Sequence, residues 1–410
     1  MTELDRRMFL SQSAGSVVAL GGLAALAGAA NVWTGKAALS VAVLGAGRQG
    51  RAALGELQKI DGVSVAAVCD TDSRRLASGL RRVQDAKGYA SLDELLTGSP
   101  EVQAIVIATP THTHKDIALQ VIDAGKHAYI ECPLAHTNED SVEIARAARA
   151  ADGVIAAGLL ARSNPVYQLA RDFYRSAAVK TLASMRAQDH DKTSWRSAAR
   201  DPARDKALNW KLDPEVSLGL AGELGTHQFD VFHWYTGDYP KRVVGFGSLR
   251  VQDDGRDIFD TVSAQLEWPN GAVASYGCTL GNSFEGRYEV FHGSNAAIRL
   301  AWSHGWMFKE ADAPTQGWEV YANRQKVYDE EGITLIAGAT QLAEQGKLQD
   351  GIGLPYPSLY YGLSDWINAI DKGTQPVTTI DEAVRATAVG IATNEAITTG
   401  RAVDIVMPSV

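Results

Sequence analysis

Two stretches of the chain combine residue types suited to proton and hydride chemistry. The first is Glu223-Leu224-Gly225-Thr226-His227-Gln228-Phe229-Asp230. Read as an α-helix, it puts Glu223 four residues before His227 and Asp230 three after, so all three share one face. A histidine between two carboxylates can have its pKa tuned and its tautomer fixed, as a general base for a hydroxyl proton requires. Flanking Phe229, Val231, Phe232 and Trp234 imply that the helix is partly buried. No metal is expected there, because two clear ligands at one locus are too few.

The second stretch is Gly45-Ala46-Gly47-Arg48-Gln49-Gly50, set between an apolar run at 39–44 and a helical stretch at 51–60. In a strand–turn–helix of this kind the first glycine makes the tight turn. The second lets a pyrophosphate approach the backbone, and the third lets helix and strand pack closely. A further apolar run at 63–69 ends at Asp70, twenty residues past Gly50, where a carboxylate would hold the adenosine ribose hydroxyls. That acid favours NAD, while Arg74 and Arg75 keep NADP as an alternative.

The elements around these residues alternate in the βαβ manner. A buried-type strand at 104–108 runs into Thr109-Pro110-Thr111-His112-Thr113-His114, and a strand at 127–130 ends at Glu131-Cys132-Pro133. Ser91 and Glu94 form a capping box before a short helix. Ligands of such sheets sit beyond the carboxyl ends of the strands, where Thr109, Pro110, His114, Glu131 and Cys132 fall. With Gly45, Gly47, Arg48, Gln49, Gly50 and Asp70, these are the expected cofactor-binding residues. The expected fold class is α/β: a Rossmann dinucleotide domain at 36–158, then an α+β domain at 159–410. In the second domain, β-rich runs near 179–187, 242–251, 259–268, 272–279, 287–292 and 297–301 predict a large, mostly antiparallel open sheet. Polar segments at 189–214 and 311–357 read as pocket walls or subunit contacts. Arg162, Trp210 and Lys211 are the expected substrate-binding residues. Trp210 is suited to stacking on a sugar ring.

Composition bounds the rest. The 410 residues suit two domains, and 45% hydrophobic with 21% charged residues excludes a disordered chain. A net charge of −9 with no basic block argues against nucleic acid. The three cysteines lie too far apart to predict a disulfide framework or a thiolate metal site. Residues 1–35 read as an export address. Arg6-Arg7 precedes a charge-free run from 11 to 30, and Ala27-Gly28-Ala29 offers a cleavage site, which predicts twin-arginine export to a periplasm or the cell exterior with no membrane span after cleavage.

Gly45–Gly50, Asp70, Thr109-Pro110 with His114, and Ala124-Gly125-Lys126-His127 running into Glu131-Cys132-Pro133-Leu134 together resemble the Gfo/Idh/MocA oxidoreductases. The resemblance implies that the nicotinamide lies over the segment usually written E-K-P, whose lysine assists proton transfer at the reacting hydroxyl. It also implies that Glu223 and His227 stand for the family's D-x-x-x-H, with His227 as acid/base and Glu223 its support. Here Cys132 occupies the lysine position, and a thiol cannot supply that positive charge at neutral pH. Lys211 is a candidate replacement. The implied substrate is a small carbohydrate or polyol, and the implied assembly a homo-oligomer. Export implies a bound NAD recycled in place, since little free NAD exists outside the cytoplasm. Three readings follow: a sugar or polyol oxidoreductase, a redox-neutral NAD-dependent glycosidase, and a cofactor-binding protein without turnover.

Overall fold

The computed structural model describes residues 37–176 and 178–409; the segment read as an export address lies outside them. The first layer is a six-stranded parallel sheet in the order β3-β2-β1-β4-β5-β6. Its strands are β1 (Leu39–Leu44), β2 (Val63–Cys69), β3 (Lys87–Tyr89), β4 (Ala104–Ile107), β5 (His127–Ile130) and β6 (Ile155–Ala157). Every residue of β4 and nearly all of β1 are buried, as strands covered on both faces by helices require. The helices are α1 (Arg48–Leu57), α2 (Ser73–Leu80), α3 (Leu92–Gly98), α4 (His114–Asp123) and α5 (Asn138–Ala150). The order reverses between β1 and β4, which opens the crevice where such sheets bind dinucleotides. Ser91 accepts from Glu94 N at 3.2 Å as the capping box predicts, whereas the Glu94 carboxylate reaches back to Ala90 N.

The second layer is a ten-stranded sheet in the order β14-β15-β13-β12-β11-β7-β10-β9-β8-β16. Its central strands are β7 (Leu182–His190), β8 (Arg242–Ser248), β9 (Thr261–Glu267), β10 (Val273–Thr279), β11 (Arg287–Gly293) and β12 (Ala296–Leu300). Pairing is antiparallel except for β7 with β10. Burial alternates along β9 and β10, so one face packs on helices and the other is left open. The Pro269-Asn270-Gly271 turn closes the β9–β10 hairpin, with Gly271 at φ +86°. The helices on this layer are α6 (Pro165–Arg175), the short α7 (Pro202–Leu208) and α8 (Thr226–Thr236).

The polar segment at 311–357 is more ordered than its composition suggests. After β13 (Gly305–Lys309) it holds the hairpin β14 (Arg324–Val327) and β15 (Glu330–Thr334), then the short α9 (Ala339–Glu344). The chain then returns to the first layer. Leu359, Leu363, Trp366 and Ile367 of α10 (Ser358–Lys372) share a core with β1 and α1, and Ile380, Ala383, Val384 and Ala386 of α11 (Ile380–Thr399) share one with β4 and β5. The last strand, β16 (Val403–Asp404), pairs with β8.

One buried ion pair ties the layers. Arg162, in the turn after β6, donates Nε to Asp230 Oδ2 at 2.9 Å and Nη2 to Asp230 Oδ1 at 2.7 Å, and also pairs with Glu382 of α11. Arg162 is 4% and Asp230 0% exposed, so neither charge has water as an alternative. Arg162→Ala therefore strands a buried carboxylate and should lower the unfolding free energy by about 3–5 kcal/mol, read from urea denaturation. A second close contact is Gly390 of α11, where a Cβ would lie 2.4 Å from Thr226 Oγ1. Gly390→Ala should cost about 1–3 kcal/mol by overpacking, measured in the same way.

Candidate active site

The glycine turn divides its labour as the spacing predicts. Gly45 adopts φ +87°, and a Cβ there would meet the Ala108 carbonyl oxygen at 2.5 Å. At Gly50 a Cβ would sit 1.7 Å from the Gly45 oxygen. The chain's own packing demands both. At Gly47 the nearest atom to a Cβ is Arg75 Nη1 at 3.9 Å, so this glycine opens to the groove. Gly47 begins α1 without a side-chain cap, which leaves first-turn N–H groups free for an anion. These residues fit a dinucleotide pyrophosphate. Asp70 accepts from Ala46 N at 2.7 Å and Asp72 N at 2.8 Å, so it braces the turn at the end of β2 and keeps further acceptor capacity. Arg48 is exposed at the start of α1. Gln49 donates to Glu131 Oε1 at 3.0 Å and so links the glycine turn to the loop after β5.

That loop meets His227. Glu131 is 7% exposed, and burial pushes its pKa up to about 7. Cys132 is buried, and burial with the nearby Glu131 and Asp230 charges raises its thiol well above the ordinary value. It stays a neutral thiol. Leu134 N donates to Thr387 Oγ1 of α11 at 3.0 Å, which fixes the end of the loop. His114 does so from the other side: Nε2 faces Thr109 O at 3.0 Å, and Nδ1 faces Pro133 O and Leu134 O, each at 3.2 Å. His114 thus clamps the loop after β4 to the loop after β5, with its ring nitrogens turned to carbonyls and away from the groove. Thr109 accepts from the Thr113 hydroxyl at 2.9 Å, and its backbone with that of Ala108 crowds Gly45.

On the second layer the chain enters α8 through a π-helical turn at Ala221–Gly225. Glu223 lies in this turn and is 5% exposed. Its Oε2 accepts from Thr111 Oγ1 at 3.1 Å, its Oε1 accepts from Leu218 N at 3.3 Å, and Lys211 Nζ stands 4.0 Å from Oε2. Burial raises its pKa and Lys211 opposes the rise. Burial, then the cations Arg287 and Lys211, push His227 down to about 3, with the Cys132 main chain pulling the other way. The imidazole is therefore neutral at neutral pH. Its Nδ1 is buried without a hydrogen-bond partner among the described residues.

The expected hydrogen-bonded triad of Glu223, His227 and Asp230 is absent among the described residues. Both acids are engaged elsewhere, and neither is hydrogen-bonded to His227 among the described residues. Glu223 is held by Thr111, Leu218 N and Lys211, and Asp230 is bound by Arg162. Arg162, expected to contact substrate, is committed to Asp230 and Glu382 and does not face the groove. Lys211 and Trp210 do reach the site. Lys211 Nζ lies 4.8 Å from the Trp195 ring centroid and 5.4 Å from that of Trp210. Trp210 packs edge-on to His112 at 5.8 Å.

Three residues have no sequence signal at all. Arg287 opens β11, pairs with Asp189 of β7 and stacks on Trp302 at 4.9 Å. Asp189 lies on β7, which pairs with β11, and Trp195 lies in the segment that follows β7. They come from strands and loops far apart in the chain, so no spacing announces them. Chemically, the site offers a neutral imidazole with an unpaired nitrogen, an ammonium held by Glu223, and the rings of Trp195 and Trp210.

The chain matches the family model described as an oxidoreductase family with an NAD-binding Rossmann fold over residues 39–159, and the C-terminal alpha/beta domain of that family over residues 192–405. Levoglucosan dehydrogenase of Pseudarthrobacter phenanthrenivorans is 26% identical over 48% of this chain, which spans about half (55%) of that relative's length. The 1,5-anhydro-D-fructose reductase of Ensifer adhaerens is 24% identical over 84% of this chain and 92% of its own. Among solved structures, levoglucosan dehydrogenase in complex with NADH and L-sorbose superposes with TM-score 0.71 at 19% identity, covering 91% of this chain and all of that one. The aldose-aldose oxidoreductase from Caulobacter crescentus complexed with glycerol gives TM-score 0.69 at 18% identity over 90% of this chain and 99% of its own. The two family matches together take in most of the chain, which belongs to the Gfo/Idh/MocA oxidoreductase family.

Proposed function

We propose that this chain is an NAD-dependent oxidoreductase of a sugar or polyol hydroxyl, with His227 as base and Lys211 as the cation at the reacting oxygen. The carrying observation is the buried His227 imidazole, without a partner at Nδ1, four residues past the Glu223 carboxylate that holds the Lys211 ammonium at 4.0 Å. Support for the substrate class comes from the named relatives, which include an inositol 2-dehydrogenase from Thermotoga maritima. When bound, NAD supplies the hydride acceptor. The open Gly47, the uncapped start of α1 and the carboxylate of Asp70 hold it, and Gln49 keeps Glu131 in register with the turn.

The protein's own steps are two. The His227 imidazole accepts the hydroxyl proton, and the Lys211 ammonium donates a hydrogen bond to the oxygen on which charge develops. Glu223 holds that ammonium in place. Trp210 and Trp195 wall the pocket and give apolar faces to a sugar ring. Cys132 fills space where the relatives' motif has a lysine. A redox-neutral glycosidase uses the same residues to oxidise, eliminate and return the hydride. Cys132 and the export address suggest it, and it is the second reading because Lys211 offers a cation in place of the absent lysine. Export through residues 1–35, with the cofactor carried along and recycled, and assembly into a homo-oligomer complete the proposal.

His227→Ala should lower kcat with the best carbohydrate by about 10²–10⁴, and Lys211→Met by about 10²–10³ with little change in cofactor affinity. The pH dependence carries a sign. The base works unprotonated, and its pKa of about 3 keeps it so; kcat/KM should not fall on the acid side near the ordinary histidine value of 6.5. Burial is the largest cause of that low pKa, then Arg287, then Lys211, so Lys211→Met should move the acid limb of the residual activity up only slightly. A pH–rate series on both proteins checks the shift. A limb that moves down in the variant would count against a Lys211 charge acting on His227.

A further inference from the structure

The polar arm between β7 and the π turn lies along the dinucleotide crevice, and its contacts fall in order. Its root is pinned to the second layer: Arg196 Nε donates to Asp254 Oδ2 at 2.8 Å, and Arg256 holds that carboxylate from the other side at 2.6 Å. Asn209 closes the arm on itself, accepting from Ser197 N at 2.6 Å and donating to Ser197 O at 3.0 Å. Beyond the root, the arm touches the first layer at two places. Trp210 meets His112 after β4. Arg204 of α7 pairs with Asp72 after β2, with Nε to Oδ2 at 2.5 Å and Nη2 to Oδ1 at 3.4 Å. The carboxyl end of β2 is where the adenosine half of a dinucleotide sits in such a sheet, and the end of β4 flanks the other half.

Asp72 is already part of the first layer's framework. It caps α2 by accepting from Arg74 N at 3.1 Å and Arg75 N at 2.9 Å, and it donates its own N–H to Asp70. The ion pair with Arg204 therefore has a rigid partner: its side chains are 27% and 14% exposed, so it is only partly screened. It holds the Asp72 carboxyl below the usual carboxylate range. An arm fastened at its root, at Asp72 and at His112 reaches the first layer at the ends of both β2 and β4, on either side of the strand that carries the glycine turn.

Resting on the reading of this crevice as the NAD site, we propose that Arg204 is a positioning residue for the cofactor: through Asp72 it latches the arm over the adenosine end and slows NAD release. The latch gives physical content to a cofactor that stays with the folded protein. It does not touch the reacting atoms.

The test is the dissociation rate of NADH from the full chain, followed by fluorescence after displacement with excess NAD. Arg204→Gln should raise that rate about fivefold, the upper end of what a surface ion pair contributes. Asp72→Asn keeps an oxygen to cap α2 but loses the charge, and should raise it similarly. The double variant should release NADH no faster than either single one, because both break the same contact. Arg204→Lys, which keeps the charge, should recover part of the slow release. The wild-type rate should rise with salt, and that of Arg204→Gln should not. Equal rates in the wild type and both single variants, or strictly additive effects, would overturn the latch while leaving the cofactor site standing. Failure of the wild-type chain to bind NADH at all would overturn the site reading and the latch with it.

Discussion

The buried carboxylate of Glu223 holds the site together. A carboxylate taken out of water is costly unless its oxygens find donors and its charge finds an opposite. Each partner of Glu223 comes from a different part of the chain: the Thr111 hydroxyl from the first layer, Leu218 N from the approach to the π turn, and the Lys211 ammonium from the arm. One side chain thereby sets where the two layers meet, where α8 starts and where the nearest flexible cation rests. His227 is four residues on, so its position follows from the same anchor.

That arrangement explains how a member of a lysine-dependent family is built with a cysteine at position 132. A lysine there would arrive from the end of β5, beside Glu131 and near Asp230, whose charges act on the present thiol. Under the proposed function the positive charge is that of Lys211, which lies near the rings of Trp195 and Trp210 and is steadied by Glu223. Long ammonium stems on aromatic faces lose little by being half-buried, because the rings replace part of the lost hydration. Arg287 adds a second cation, paired with Asp189 and stacked on Trp302. Burial first, and then these two cations, keep the His227 imidazole unprotonated.

Much of this was legible in the residues alone, and the reasons are local. Gly45 and Gly50 are demanded by backbone collisions within a few residues, so their spacing is a signature. The strands of the second sheet announce themselves by alternation, as in β9 and β10. Reading fails where distant parts of the chain compete for a side chain. Asp230 looks like a partner for His227 until Arg162, sixty-eight residues earlier, claims it. Glu223 looks like one until Thr111, Leu218 N and Lys211 engage it. The hairpin β14–β15 hides in a polar segment because one of its faces is open, and the return of α10 and α11 to the first layer has no local marker. Arg287 and Asp189 meet only because β11 pairs with β7.

The central claim is that the ammonium of Lys211 does the work absent from position 132. Chemical rescue addresses it most directly. The Lys211→Ala chain would be assayed for carbohydrate oxidation with small alkylammonium ions of graded size added to the buffer. The account expects activity lost in the variant to return saturably with amine, with dependence on the size of the amine set by the pocket between the two tryptophans. Amine without effect, together with recovery when Lys is placed at position 132, would contradict it.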